Sequence, residues 1–548
     1  MASSSSVPPA SPAPQPTIGE RSGIPGAAST MSTEAVVDAL VVPSFASGEV
    51  TLVAPSSISS KTNDPREGFV FPLVDPWYEI SPLFPSKSLD FSPPLEDWDW
   101  PVMGSEVTVD RAWVPCLDEI SDLLIRKGNI QPVPINFDFP CVASKDWSQW
   151  VDLEILDSNF WDSLQEANVH WSILISRSCS MFIDTEPLRE VLRRWCPSTH
   201  TFFFVWGELT VTLEDIANHW MLPILGEHSF SSIKLSAEEE EIAAALRRQS
   251  STRISNWPAL FVHHEEIPIR RATFILYWPR KCIFDNSPYY TINTIFIPLA
   301  GKISTGHCFP LTPLFLGHLY SQLDLFHDCK VERDSCHILL AAFNTTVLQT
   351  FFWKHSVNYL FVAKDKVVAW GKFSDLLQRF LDRFPDFRNN LPLVYRWVGL
   401  KTRDHDLVAA LDYKENVLLR PYGDDYPGFA CVSVFSWFYQ PTSLIHDLRV
   451  EDHRSLAYLS TMSPGWLPIL STTGVSFIPY CPQRVTRQFG LDQDVPAGPQ
   501  EATTSILDLA PFIKSCAFAH WEGEISRIMV PSGHRFDFNT PSINAYWQ

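Results

Sequence analysis

The 548-residue sequence predicts a mainly α-helical protein with short β-hairpins (α+β): one large helical domain, preceded by a disordered tail and an extended Pro/aromatic strap. Three observations predict it. Apolar residues recur at helical spacing in several separate stretches. The spacing switches to two only over a short region near residue 200. Finally, 37 Phe and 20 Trp supply enough apolar surface to offset the entropy of ordering a large core.

The tail is residues 1–63, which open MASSSSVPPASPAPQP and hold too few large apolar side chains to bury a core. Residues 64–143 set aromatics such as Trp77, Phe84, Trp98 and Trp100 among prolines, a pattern for an extended strap without long helices. The body spans 144–500, and 501–548 is a C-terminal extension.

Within the body, DWSQWVDLEILDSNFWDSLQEANVHWSILIS spaces its tryptophans helically. Leu188, Val191, Leu192 and Trp195 then form an i, i+3, i+4, i+7 stripe, with Pro187 in the first turn. After Pro197, Phe202 and Phe204 alternate, Trp206-Gly207-Glu208 reads as a turn, and Leu209 and Val211 alternate again, which predicts a hairpin. Thr212 and Asp215 predict a capping box, and Leu213, Ile216, Ala217 and Trp220 an inward stripe ended by Pro223 and Gly226. Downstream, a helix opens at Thr312-Pro313. SCHILLAAFNTTVLQTFFW reads as a buried central helix, FSDLLQRFLDRF as an amphipathic one, and QRVTRQF as a short helix closed by Gly490.

The net charge of −20 is confined to residues 1–250, with 35 acidic and 15 basic side chains, whereas 251–548 hold 27 of each. This balance argues against wholesale phosphate binding. Residues 330–403 nevertheless carry 12 Lys/Arg against 6 Asp/Glu, the stretch a direct DNA binder would use. The eleven cysteines include no C-x-x-C and predict reduced, mostly buried thiols. No apolar run is long enough for a membrane span and no secretory leader is recognisable, so the expected setting is soluble and intracellular, without membrane contact.

Chemical motifs are sparse. His327, Cys329, Cys336 and His337 carry zinc-ligand types at a spacing that matches no standard site, and read as a loop between helices. His263-His264-Glu265-Glu266 and Asp404-His405-Asp406 read as exposed turns. Gly301-Lys302-Ile303-Ser304 fails as a phosphate loop, because Phe296 stands where its first glycine belongs and Ile303 where the hydroxyl should follow the lysine. No lysine, acid and anion site is singled out for pyridoxal phosphate, so no cofactor and no catalytic residue is expected.

The segment THTFFFVWGELTVTLEDIANHWMLPILGE resembles the signature of the plant mobile domain family, which also bears the label "aminotransferase-like". Thr199, Thr201, Phe202, Gly207, Glu208, Thr210, Thr212, Leu213, Asp215, Leu222, Pro223 and Gly226 take the family's places. RPYGDDYPGF from Arg420 and CPQRVTRQFGLDQDVP from Cys481, with Arg484, Gln488, Phe489, Gly490, Asp492 and Gln493, resemble its later motifs in order. The resemblance covers roughly residues 64–500, with the domain itself at 144–500.

It implies a plant protein of host-gene or transposable-element origin, similar to the maintenance-of-meristems type and to the mobile-domain portion of long phosphatase-seven-like forms. The GDxH, GDxxDRG and GNHE stretches of a two-metal phosphatase are missing from the sequence. For host members it implies nuclear roles in transcription, transposon silencing, genome integrity and meristem maintenance. The expectation is a non-catalytic nuclear interaction protein with nuclear protein partners, a phosphatase-seven-like protein among them. DNA binding through 330–403 is the second reading, an undetected enzyme the third, and a plastid the alternative address. The signature residues are expected to be structural, with Glu208 paired to Arg193 or Arg194 and with Arg484 and Gln488 clamping another segment.

Overall fold

The computed structural model describes residues 114–115, 120–130, 132, 134–137, 145–179, 181–230, 233–284, 292–331, 339–340, 344–371, 378–422, 426–431, 433–434, 436–438, 445–449, 452–471, 474–493, 495–496, 526–529, 539 and 541–547. The tail 1–63, most of the strap 64–143 and most of the extension 501–548 lie outside the described residues.

Polar caps fix where several helices begin. After α1 (Ser121–Arg126) and α2 (Lys145–Glu154), Asp157 accepts from the Phe160 amide to start α3 (Ser158–Glu166). Then come α4 (His170–Ser178), α5 (Thr185–Leu192) and α6 (Leu213–Trp220), the last opened by the Thr212/Asp215 capping box. A second box, Ser236/Glu239, opens α7 (Ala237–Gln249), followed by α8 (Trp257–Phe261), α9 (Ile267–Trp278), α10 (Ile297–Ser304) and the 21-residue α11 (Leu311–Val331). Asn344 caps α12 (Thr345–His355) and Asp365 caps α13 (Lys366–Trp370). The remaining helices are α14 (Gln378–Arg383), α15 (Leu407–Leu411), α16 (His453–Met462) and α17 (Pro541–Tyr546).

Strands are short, as predicted for this fold class. Among the described residues β1 (Ile135–Asn136) pairs parallel with β5 (Leu339–Leu340), and β6 (Leu391–Pro392) with β7 (Phe429–Ala430). Strands β8 (Ile445–Leu448) and β11 (Ser526–Met529) pair antiparallel, and β9 (Gly465–Ser471) and β10 (Gly474–Tyr480) form a seven-residue hairpin. β2 (Trp195–Cys196), β3 (Thr201–Phe204) and β4 (Gly207–Leu209) form an antiparallel three-stranded sheet in that order.

One hydrophobic core runs through the body. Trp147, Trp150, Trp195, Trp257, Trp278, Trp353 and Trp397 are its largest fully buried indoles, and Trp147 stacks on Phe274 with ring centroids 4.7 Å apart. Helix α11 lies against β9 and α6, presenting Leu316, Leu319, Tyr320 and Leu323 to the core.

Several local expectations are corrected. Helix α5 stops at Leu192, and Trp195 faces the core from β2, since a large apolar residue fits an inward strand position as well as a helical one. The hairpin turn is Val205-Trp206, and Gly207 already belongs to β4, paired with Phe204. SCHILLAAFNTTVLQTFFW is divided: its second half is α12, whose asparagine cap sets the start, while Leu339–Leu340 is a strand. QRVTRQF is a kinked 3-10 segment, non-helical at Val485, although Gly490 does close it in a left-handed cap. Met221, left-handed at φ 51°, ends α6. Gly226 instead lies against the Phe309 backbone, where a Cβ would approach to 2.5 Å. His327 lies within α11 and not in a loop; the Cys329 side chain, Cys336 and His337 lie outside the described residues.

Candidate functional site

The three motif segments meet around β4 and α6. Glu208 leaves β4 with only 2% of its side chain exposed, and Arg484 grips it in a fork: Nε donates to Oε2 at 2.7 Å and Nη2 to Oε1 at 2.5 Å. The Thr201 hydroxyl donates to the same Oε2 at 2.7 Å. The expected partners Arg193 and Arg194 do not reach it. Arg194 forks instead onto Asp412, Nη2 to Oδ2 at 2.6 Å, which leaves Glu208 to Arg484.

Gln488 completes this contact from the third segment. Its amide nitrogen donates to the Thr210 carbonyl at 2.9 Å and its oxygen accepts from the Thr210 amide at 3.0 Å. One side chain thus supplies the donor and acceptor that a further strand would offer just beyond β4. Thr486 donates to the Asp492 carbonyl at 2.8 Å, and Gln493 to the Gln483 carbonyl at 3.0 Å, so the segment is tied to itself as well. The short helix α17 packs beside this pair: Tyr546 shares a side-chain hydrogen bond with Arg484, and Trp547 meets Phe203 edge-on at 5.8 Å.

The second polar centre is larger than a cap. Asp215 Oδ2 accepts from the Thr212 amide at 2.8 Å and its hydroxyl at 2.7 Å, while Oδ1 accepts from the Tyr422 hydroxyl at 2.7 Å and lies 3.3 Å from His355 Nε2. His219, one turn further along α6, places Nδ1 3.2 Å from both the Asp215 carbonyl oxygen and the Tyr422 hydroxyl. Next to Asp215, Glu214 accepts from the Ser433 hydroxyl. The Lys354 ammonium sits 3.5 Å from the Tyr426 ring centroid.

Burial and local charge split these groups. Burial alone would raise the Asp215 carboxyl, but the bond and charge of His355, with the Thr212 bonds, outweigh it and hold Asp215 below its ordinary value. Burial, reinforced by the neighbouring Asp215, pushes Glu214 up to about 8. Burial, and after it Lys354, brings His219 down to about 3.

A carboxylate, two histidines, a tyrosine and a lysine have the types for acid–base work. However, Asp215, His219 and His355 are each 3% exposed or less, and the bonds described for them run to one another, to the Thr212 and Tyr422 hydroxyls and to backbone. Cavities lie beside Arg484, between α5 and α12, and between α7, α9 and α10; none of these three is lined by the Asp215 cluster. Among the described residues no three His, Cys, Asp or Glu side chains are placed to hold a metal ion. His327 is buried with Nδ1 3.4 Å from Asp328, and His263, Glu265, Glu266, His405 and Asp406 are exposed. The free cysteines Cys179, Cys196, Cys282 and Cys481 are buried, and Cys308 and Cys431 partly so.

Sequence reasoning placed His219 on a plain helix and gave no role to His355 or Tyr422. The i, i+4 spacing of Asp215 and His219 was the local signal for the first. The others lie 140 and 207 residues from Asp215 in the chain, and nothing local marks them.

The profile of the plant mobile domain matches residues 171–546, a span that contains all three segments and α17. No curated protein and no solved structure matches the chain.

Proposed function

Since the chain belongs to the plant mobile domain family, we propose that it is a non-catalytic nuclear interaction protein serving transcriptional and transposon silencing, genome integrity and meristem maintenance. One observation carries this reading. The signature side chains Glu208, Asp215, Arg484 and Gln488 are all buried and each bonds another part of the chain, as parts that hold a platform together do. Work on other molecules then falls to the surface, where Phe361, Val367 and Val205 stand 90%, 80% and 77% exposed.

Direct DNA binding through 330–403 has less support, because several of its cations are used internally. Lys354 is buried against Tyr426, Arg396 lies 4.7 Å over the same ring, and Lys364 donates to the Val398 carbonyl.

The test is purification of the tagged full chain from nuclease-treated plant nuclei. A protein partner at near-stoichiometric yield is expected, a phosphatase-seven-like protein being the first to probe for. Absence from nuclei, or association that nuclease abolishes, would overturn the proposal.

A further inference from the structure

The loops that follow α6 and α10 are bound to each other. Thr312, at the start of α11, donates from its amide to the Pro223 carbonyl at 2.9 Å and from its hydroxyl to the Leu222 carbonyl at 2.7 Å. Gly226 lies on the Phe309 backbone so closely that a Cβ would come within 2.5 Å of it, and a larger residue would push the first loop away. This closure brings together two partly exposed histidines, His228 and His307, with ring centroids 4.7 Å apart and planes inclined by 46°. Neither belongs to the polar centres around Glu208 and Asp215.

The surroundings of His307 fix which of its nitrogens is open. Thr305 Oγ1 lies 2.9 Å from the Lys302 carbonyl oxygen and 3.1 Å from His307 Nδ1. A carbonyl can only accept, so the one hydroxyl proton goes to Lys302 and Oγ1 is left to accept from the ring. The neutral His307 therefore carries its proton on Nδ1 and its lone pair on Nε2, the arrangement of a metal-ligating histidine anchored through its other nitrogen. His228 is held from behind by Phe309 at 5.6 Å, which itself stacks on Phe230 at 5.7 Å.

The spacing and the neighbours narrow the ligand. Two imidazoles at right angles about one ion, each with a nitrogen about 2.0–2.1 Å from it, have ring centres about 4.5 Å apart. The 4.7 Å between His228 and His307 is close to that. Cys308 adds no thiolate, because its thiol donates to the Leu225 carbonyl and burial pushes it up to about 11. The exposed Glu227 beside His228, and the Glu166 carboxylate against Gly306, place negative charge near the pair.

We propose that His228 and His307 chelate a late first-row divalent ion, Cu2+ ahead of Ni2+ and Zn2+, with water in the remaining positions. Imidazoles without a thiolate suit these ions, and the lead of Cu2+ follows the general order of divalent affinities. A pair completed by water is consistent with there being no three-ligand group among the described residues.

The experiment titrates Cu2+, Ni2+, Zn2+ and Mg2+ separately into the full-length protein by calorimetry in a non-coordinating buffer, and records electron paramagnetic resonance of the form with one Cu2+. We expect a Cu2+ site with Kd of about 1–10 µM, weaker Ni2+ and Zn2+, and no measurable Mg2+. The Cu2+ spectrum should show splitting from two imidazole nitrogens. His228→Gln and His307→Gln should each weaken this site at least about tenfold, and Thr305→Val, which frees the His307 ring, by about tenfold. Melting temperatures should hardly move, since both rings are partly exposed. A Cu2+ spectrum without two imidazole nitrogens, or a first equivalent bound equally well by the His228→Gln/His307→Gln protein and so an adventitious ion only, would each overturn the proposal.

Discussion

Arg484 closes on Glu208 across 276 residues of sequence, and both side chains are at most 2% exposed. A buried fork of this kind is weak as a net source of stability, but breaking it leaves a charge with no partner and no water. Arg484→Leu should therefore destabilise the protein by about 3–5 kcal/mol in urea unfolding. The Glu208→Leu/Arg484→Leu double variant should lose less than the two single losses combined. A single-variant loss below about 1 kcal/mol would show the pair to be solvated in solution.

Gly207 carries φ 154°, and a Cβ there meets nothing within 4 Å. Any penalty for replacing it thus comes from the backbone and not from crowding. Gly207→Val should cost about 1–3 kcal/mol. Gly207→Ala should fall in the same direction, and unchanged thermal melting in both would contradict the β4 assignment.

Buried titrating groups give the stability a maximum in pH. Burial holds His219 at about 3 and His170 and His318 at about 4, so between there and about 6.5 the unfolded chain binds protons that the folded chain does not. Each such group makes stability fall with acidification by up to about 1.4 kcal/mol per pH unit. Glu214 acts oppositely: pushed up to about 8, its contribution is complete below about 4.5 and is lost as pH rises through 8. Stability should peak near pH 6.5. In denaturant midpoints measured across pH, His219→Gln should shallow the acid limb by about one proton's slope, and Glu214→Gln should flatten the alkaline limb.

Scaffold and DNA binder separate under charge reversal. Lys372 lies outside the described residues, and Arg379 and Arg383 belong to α14. Changing all three to Glu should leave duplex DNA retention at its low starting level while the nuclear partner still co-purifies. Submicromolar duplex binding at physiological salt, lost in the triple variant with a flatter salt dependence, would favour the DNA-binding reading.

Legibility in the sequence followed distance along the chain. The Thr212/Asp215 box was readable because its bonds span three residues, and the stripe of α11 because helical spacing is local. That Arg484 and Gln488 clamp another segment could be anticipated from their polarity at i, i+4, but their partners Glu208 and Thr210 could not. Arg194 and Arg484 are chemically equal candidates for Glu208, and only the packed chain decides between them. The kink at Val485, with φ −132° and ψ 35°, likewise reflects the two-sided anchoring of its segment rather than any helix-breaking residue.

The same long-range closure has a consequence during synthesis. At roughly 5–20 residues per second, about 14–55 s separate the emergence of Glu208 from that of Arg484. Throughout that interval the β4 carboxylate lacks its counter-charge and Thr210 lacks the Gln488 amide, so the nascent chain holds an open strand edge. Chaperone occupancy should consequently be highest on ribosomes that have passed the hairpin but not residue 488. A chain cut short within that window should therefore aggregate rather than fold as a smaller domain.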